Sequence, residues 1–66
     1  MNVEMIKKRY KKGIRVKLIE MEGEPKMKPG LTGTVRLVDD IGQIHVDWDN
    51  GSGLALNIDV DEFEII

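Results

Sequence analysis

The sequence predicts a mainly β protein, a small closed or half-closed barrel of five short strands that follows an N-terminal basic arm. After residue 13, apolar and polar residues alternate in several short segments, which Gly, Pro and Asn-Gly pairs separate. The chain has 66 residues and no cysteine, so its stability must come from a compact apolar core, for which a hydrophobic content of 41% is sufficient. Closure into a barrel would also hide the strand edges of so small a sheet.

The arm, the first twelve residues, has a pattern that leaves two structures open. Val3, Ile6 and Tyr10 fall at helical spacing, Asn2 is suited to cap the start of a helix, and Gly13 is suited to end it. A helix this short is stable only when it packs against the rest of the protein. The arm is therefore expected to be either a docked helix or a disordered tail, and residues 13–66 are expected to form the barrel domain.

Five segments have the two-residue period of a β-strand, and an SH3-like barrel is the natural candidate for five strands at this length. Val38 breaks the alternation of the second segment, which predicts a bulge or a strong twist there. The connection "MEGEPKMKPG" contains two prolines and two glycines and is expected to be an exposed loop, and "DVDEF" is expected to be a turn. The predicted strands are residues 14–20, 32–40, 43–49, 52–58 and 63–66.

The stretch "HVDWDNGSGLAL" predicts the central hairpin. By alternation Trp48 points inward as the anchor of the core, although a groove aromatic with one exposed edge is the alternative. Asn50-Gly51 predicts a two-residue type I′ turn, which needs positive φ at both residues. Structural roles are expected for Trp48, Gly33, Gly42 and Gly51, with Gly42 in a left-handed conformation in the turn "DDIG".

Four segments together, "GIRVKLIEM", "GLTGTV", "VDDIGQIHVDWDNGSGLAL" and "VDEFEII", resemble DUF4314, a family of short bacterial and phage proteins defined as a domain of unknown function. The resemblance covers residues 13–66, is most specific over Val38 to Ser52, and leaves the arm outside. It implies a small SH3-like β-barrel and a mobile-element setting, but no activity. More loosely, Gly-Thr-Val with Trp-Asp-Asn-Gly is similar to SH3-like modules of the mind-bomb type, which bind peptides.

The residues predict neither catalysis nor a cofactor. His45 is expected to face water, with at most a weak contact to Asp47 on the same strand face, and nothing supplies a nucleophile paired with a base. "NIDVDEFE" lacks the glycine and the bidentate glutamate that a calcium loop needs, so no metal site is expected. The protein is therefore expected not to be an enzyme. The absence of a long apolar run predicts no signal peptide or membrane span, and a cytoplasmic location.

Two binding functions are left open. The leading prediction is an interaction module that binds a protein or peptide through its loops and one sheet face, with a monomer expected. The alternative is a nucleic-acid accessory protein, because the arm carries a net charge of +4 on an acidic body and could neutralise phosphates while Tyr10 stacks on a base. A solvated helix face, or a structural or regulatory protein without a stable partner, is the plainer alternative. The candidate partner-binding residues are His45, Asp47, Asn50, Gly51, Lys26 and Lys28, and the candidate polyanion-binding residues are Lys7, Lys8, Arg9, Tyr10, Lys11 and Lys12.

Overall fold

The computed structural model describes residues 2–66 and shows a mainly β protein with one short helix. The strands form a single antiparallel sheet in the order β3-β2-β1-β4. The mainly β prediction is confirmed. The elements are α1 (Val3–Arg9), β1 (Arg15–Glu20), β2 (Thr32–Val38), β3 (Ile44–Trp48) and β4 (Glu62–Ile65).

Within residues 2–66 the sheet has four strands and is open, so the prediction of five strands is wrong and, of the closed or half-closed barrel expected, the closed form is wrong. The segment expected to be the remaining strand makes only one bridge, in which Leu56 exchanges both backbone hydrogen bonds with Ile44. Two side chains form hydrogen bonds with backbone groups of this segment that a fifth strand would need for pairing with β3. The Ser52 hydroxyl accepts from the N–H of Leu54, and the indole N–H of Trp48 donates to the carbonyl of Leu54 at 2.8 Å.

The arm is a helix docked on the sheet, the first of the two structures that its pattern left open. Asn2 caps it as expected, since its side chain accepts from the N–H of Met5. Ile6 and Tyr10 are buried in the core, and α1 lies against β2. The helix ends at Arg9, with Tyr10 as its C-cap. Gly13, at φ +93°, instead lies in the turn that leads into β1.

The core lies between the helix, the inner face of the sheet and one residue of the long loop. Trp48 is buried there, as predicted. Met27 is buried as well, so the segment "MEGEPKMKPG" is not the wholly exposed loop that its prolines and glycines predict. The two lysines that flank Met27 are exposed. The buried apolar residues are Ile6, Tyr10, Val16, Leu18, Met27, Val35, Ile44, Val46, Trp48 and Leu56.

The predicted bulge and the predicted hairpin turn have different outcomes. The β2–β3 register shifts between Val35 and Leu37, next to Val38, which confirms an irregularity in that part of β2. The type I′ turn is wrong, because Gly51 has φ +88° but no non-glycine residue described has positive φ. Gly51 instead follows a turn that its own N–H closes by donating to the carbonyl of Trp48. Asp49, Asn50 and Gly51 thus form a three-residue loop, in which only the last position needs a left-handed conformation.

Candidate functional site

A small pocket opens where three segments meet: the start of α1, the turn between β2 and β3, and the turn that precedes β4. Its volume is about 180 Å³. Apolar side chains from all three segments contribute to its wall, but most of the accessible surface inside it is polar. The lining residues are Val3, Ile6, Ile41, Gly42, Gln43, Asn57, Ile58 and Asp59.

The β2–β3 turn forms one wall of the pocket because two local features fix its shape. Asp39 Oδ1 accepts hydrogen bonds from the backbone N–H groups of Ile41 and Gln43, at 3.1 and 2.9 Å. Gly42 has φ +85°, and a Cβ atom placed on it would lie only 3.3 Å from Cδ1 of Ile6. The turn therefore packs closely on the helix, and the side chain of Ile41 is left 78% exposed.

The turn that precedes β4 forms the opposite wall and is held in a similar way. The Asn57 side chain accepts from the N–H of Asp59 at 3.0 Å, and Asp61 accepts from the N–H of Asn57 at 2.8 Å. Ile58 is partly buried against the core, whereas Val60, at the tip, is 71% exposed. Both walls thus combine a side-chain-stabilised turn with an exposed apolar residue.

Charged pairs surround the β2–β3 side of the pocket. Lys7 on the helix forms an ion pair with Asp40 at 3.1 Å. Asp39 Oδ2 lies 2.8 Å from Nε2 of His45. The hydrogen bond with His45, followed by that from the backbone N–H of Gln43, lowers the pKa of Asp39 below its ordinary value. Asp39 therefore remains a carboxylate and an acceptor at neutral pH, which keeps the turn in this shape.

The size of the pocket limits what it can hold. Pockets for metabolites and cofactors usually measure 300 to roughly 1,000 Å³, whereas a cavity of about 150 Å³ accommodates benzene. A volume of about 180 Å³ is about the size of one side chain and is too small for a nucleotide-sized ligand. Over residues 2–66, no group of three or more His, Cys, Asp or Glu side chains is placed to hold a metal ion.

The structure divides the predicted partner-binding residues between two places. Asn50, at the hairpin tip, donates to the carbonyl of Lys26 at 3.1 Å, so the tip and the long loop are in contact. His45 lies towards the other end of β3 and bonds to Asp39, not to Asp47, which instead pairs with Arg36 at 3.7 Å. His45 points away from the core, as the alternation predicts, but it is half-buried and therefore only partly faces water. Gly51 and Lys28 are exposed near the tip and in the loop, respectively.

The predicted polyanion-binding residues form a basic surface on the docked helix and just after it. Tyr10 is buried and its ring lies 5.4 Å from that of Phe63, so its predicted stacking on a base is wrong. Lys7 is engaged by Asp40. The other four side chains are exposed and form no ion pair with any residue from 2 to 66; they are Lys8, Arg9, Lys11 and Lys12.

Comparison of the sequence with models of protein families shows the family of this chain. The model of the domain of unknown function DUF4314 matches residues 1–66. The chain belongs to the DUF4314 family. The match includes the basic arm, which the resemblance of residues 13–66 had left outside. A search of the curated proteins and a search of the solved structures each gave no match. In this DUF4314 chain no helix within residues 2–66 has the length and hydropathy needed to cross a bilayer.

Sequence reasoning missed the pocket of this DUF4314 chain. Its wall residues come from the arm, from predicted turns and from the ends of two predicted strands, and their meeting point depends on tertiary packing. One signal was present, because Ile41 is a large β-branched residue inside the turn "DDIG", where polar residues are usual. Val60, inside "NIDVDEFE", has the same property. An apolar residue at the tip of a tight turn cannot reach the core and is therefore a candidate contact for another molecule.

Proposed function

We propose that this DUF4314 protein is a non-enzymatic interaction module that binds a partner protein at the pocket beside Ile41, where an apolar side chain of that partner packs against the exposed Ile41. One observation carries the proposal. Ile41 and Val60 are the two most exposed large apolar residues described, at 78% and 71%, and they belong to the two turns that line the same pocket. Exposed apolar side chains around a small cavity, with charged groups at its rim, are typical of the buried centre of a protein interface.

The non-enzymatic part of the proposal rests on the chemistry of the same region. His45 is bonded to Asp39 and does not line the pocket, and the acidic side chain that does line it is Asp59. A pocket this small would hold little of a substrate besides the reacting group. Binding of a partner side chain therefore accounts for the geometry with fewer assumptions than catalysis does.

A small side-chain mimic tests the proposal. Isotope-labelled protein is titrated with N-acetyl-leucinamide and, as the matched control, with N-acetyl-lysinamide. We expect the leucine mimic to shift the amides of Gly42, Gln43 and Ile58, and the lysine mimic to leave them unchanged. Ile41→Ser should abolish these shifts, whereas Leu37→Ser, at an exposed residue outside the pocket lining, should retain them. No shift at millimolar concentration, or equal shifts in Ile41→Ser, would reject the pocket as the binding site.

Nucleic-acid binding remains a second candidate, favoured by the basic surface that α1 displays. A docked helix loses less conformational freedom on binding than a disordered arm would, and four phosphate contacts would make affinity strongly salt-dependent. The test is titration with a short mixed-sequence DNA at low and at physiological salt. Because Ile6 and Tyr10 are core residues, the basic side chains should be replaced by alanine and not removed by truncation. Binding that persists in this quadruple variant would reject the helix as the interface.

We further propose the finer parts of the family resemblance, an SH3-like origin of the sheet and a role in phage or mobile elements. The Leu56–Ile44 bridge places a fifth segment beside β3, and this strand neighbourhood supports an SH3-like barrel that has opened. An experimental structure in which residues 54–57 form no contact with β3 would argue against this origin.

A further inference from the structure

We propose that the free edge of β4 binds an extended segment of a partner protein in which basic residues alternate with apolar ones, so that the segment adds a strand to the sheet. This site is separate from the pocket beside Ile41 and does not depend on the function proposed for it. Added strands bind through backbone hydrogen bonds to an exposed sheet edge, and alternate side chains supply the specificity.

No residue from 2 to 66 pairs with the outer edge of β4, whereas the edge of β3 is partly covered. At β3, Leu56 occupies the edge by bonding to Ile44. At β4, pairing is with β1 alone, and α1 lies against β2. The N–H of Ile66 donates to the carbonyl of Arg15. Because bonded pairs alternate along an antiparallel ladder, Phe63 and Ile65 point their backbone N–H and C=O groups away from β1.

The inner face at this edge has an apolar surface that an added strand would cover. Ile65 lies opposite Val16, and Phe63 lies opposite Leu18. Val16 and Leu18 are fully buried, whereas Ile65, at the edge of the sheet, is 42% exposed. An apolar side chain from a neighbouring strand would stand directly beside Ile65 and Phe63.

Charge determines which partner fits the edge. Glu62 and Glu64 are both exposed on the outer face of β4; Glu62 lies opposite Glu20 of β1, a like-charge pair across the ladder, and Glu64 lies opposite the exposed Lys17. Lysines or arginines at alternate positions of an added strand would face these glutamates. The same charges disfavour a second copy of this chain. In the two registers with the greatest overlap, antiparallel pairing of two β4 strands with their apolar faces on one side would set Glu62 opposite Glu64, or Glu64 opposite itself.

The test uses a synthetic peptide of alternating lysine and valine, with a peptide of alternating glutamate and valine as its matched control. We expect the lysine peptide to shift the amides of Phe63 and Ile65 and to slow their hydrogen exchange, with affinity that falls as salt is raised. The glutamate peptide should not bind. Equal binding of both peptides, shifts confined to another surface, or protection of Phe63 and Ile65 through dimerisation without peptide would each overturn the proposal.

Variants locate the interaction and separate it from the pocket. Ile65→Pro removes one outward N–H at an edge position where proline is tolerated, and we expect affinity for the lysine peptide to fall roughly tenfold. If that variant does not fold, the double variant Glu62→Gln and Glu64→Gln, at exposed positions, should weaken binding and remove its salt dependence. Ile41→Ser should leave the affinity for the lysine peptide unchanged. Failure of the proposal for the pocket can therefore be distinguished from failure of the proposal for the β4 edge. Unchanged affinity in the Glu62/Glu64 variant would refute the charge argument.

Discussion

The guanidinium of Arg15 forms two hydrogen bonds with the carboxylate of Asp49, Nη1 to Oδ1 at 3.0 Å and Nη2 to Oδ2 at 2.7 Å. Arg15 begins β1 and Asp49 follows β3, so the pair spans the width of β2 between them. Two β2 hydroxyls complete the arrangement, as Arg15 also donates to Thr34 and Thr32 and Thr32 donates to Asp49. The fork geometry of arginine is suited to this two-point contact, which fixes the hairpin end of β3 to β1.

The first prediction is that acid destabilises the protein through Asp49. The hydrogen bond from Arg15, followed by that from Thr32, lowers the pKa of Asp49 to about 2 from an ordinary value of 3.8. Because the folded-state pKa is the lower one, the stabilisation is present above pH 4 and is lost as the pH falls towards 2. Urea unfolding midpoints from pH 6 to pH 2 measure this loss, and Asp49→Asn should reduce the slope. Glu22→Gln, at an exposed residue, serves as the control, and an undiminished slope in Asp49→Asn would contradict the prediction.

The second prediction is that the basic arm is part of the folded domain. Ile6 is 3% exposed in the core, whereas the adjacent Met5 is 56% exposed. Ile6→Ala should lower the free energy of unfolding by about 2–5 kcal/mol, the usual range for truncation of a buried aliphatic residue. Met5→Ala should change it by less than about 0.5 kcal/mol. Urea titration followed by Trp48 fluorescence compares the two variants, and similar midpoints would indicate that α1 does not dock.

Local pattern was sufficient for those elements whose apolar face is decided by their own residues. Ile44, Val46 and Trp48 alternate with polar residues in β3, and each is buried as the period requires. The helix was harder to predict because ten residues cannot stabilise a helix alone. Its formation depends on Ile6 and Tyr10 meeting the sheet, which a window of neighbouring residues does not show.

The errors in prediction have the same origin, specific side-chain contacts that the alternation of apolar and polar residues does not show. Met27 follows a lysine in a loop rich in proline and glycine, yet it fills the core. His45 pairs with Asp39 from the adjacent strand end, whereas the sequence drew attention to Asp47, two residues away. The expected fifth strand is lost because Trp48 and Ser52 bind the backbone of Leu54. Periodicity reports which face a residue occupies, but it does not report its partner.

The third prediction concerns the left-handed residue of the β3 hairpin loop. Gly51 has φ +88°, with no atom within 4 Å of a Cβ placed on it, so a larger residue would meet strain and not a clash. Gly51→Val should lower the free energy of unfolding by about 1–3 kcal/mol, since a β-branched residue resists positive φ. Gly53 is equally uncrowded but does not have positive φ, which makes Gly53→Val the matched control. Equal melting temperatures for the two variants would contradict the assigned loop.

The fourth prediction concerns Gly33, where the obstacle to a side chain is the core itself. A Cβ atom placed on Gly33 would lie 2.5 Å from Cγ1 of Val46, 2.9 Å from Cε3 of Trp48 and 3.0 Å from the carbonyl oxygen of Asp47. Val46 and Trp48 are buried and cannot move aside freely, and the third obstacle is backbone. Gly33→Ala should therefore destabilise the fold by about 1–3 kcal/mol through overpacking. Gly53→Ala adds the same methyl group where no atom lies within 4 Å and should leave stability within about 0.5 kcal/mol. Thermal unfolding of the two variants, followed by Trp48 fluorescence, gives the comparison. A Gly33→Ala protein as stable as the Gly53→Ala protein would show that β2 and β3 do not approach as closely as the structure describes.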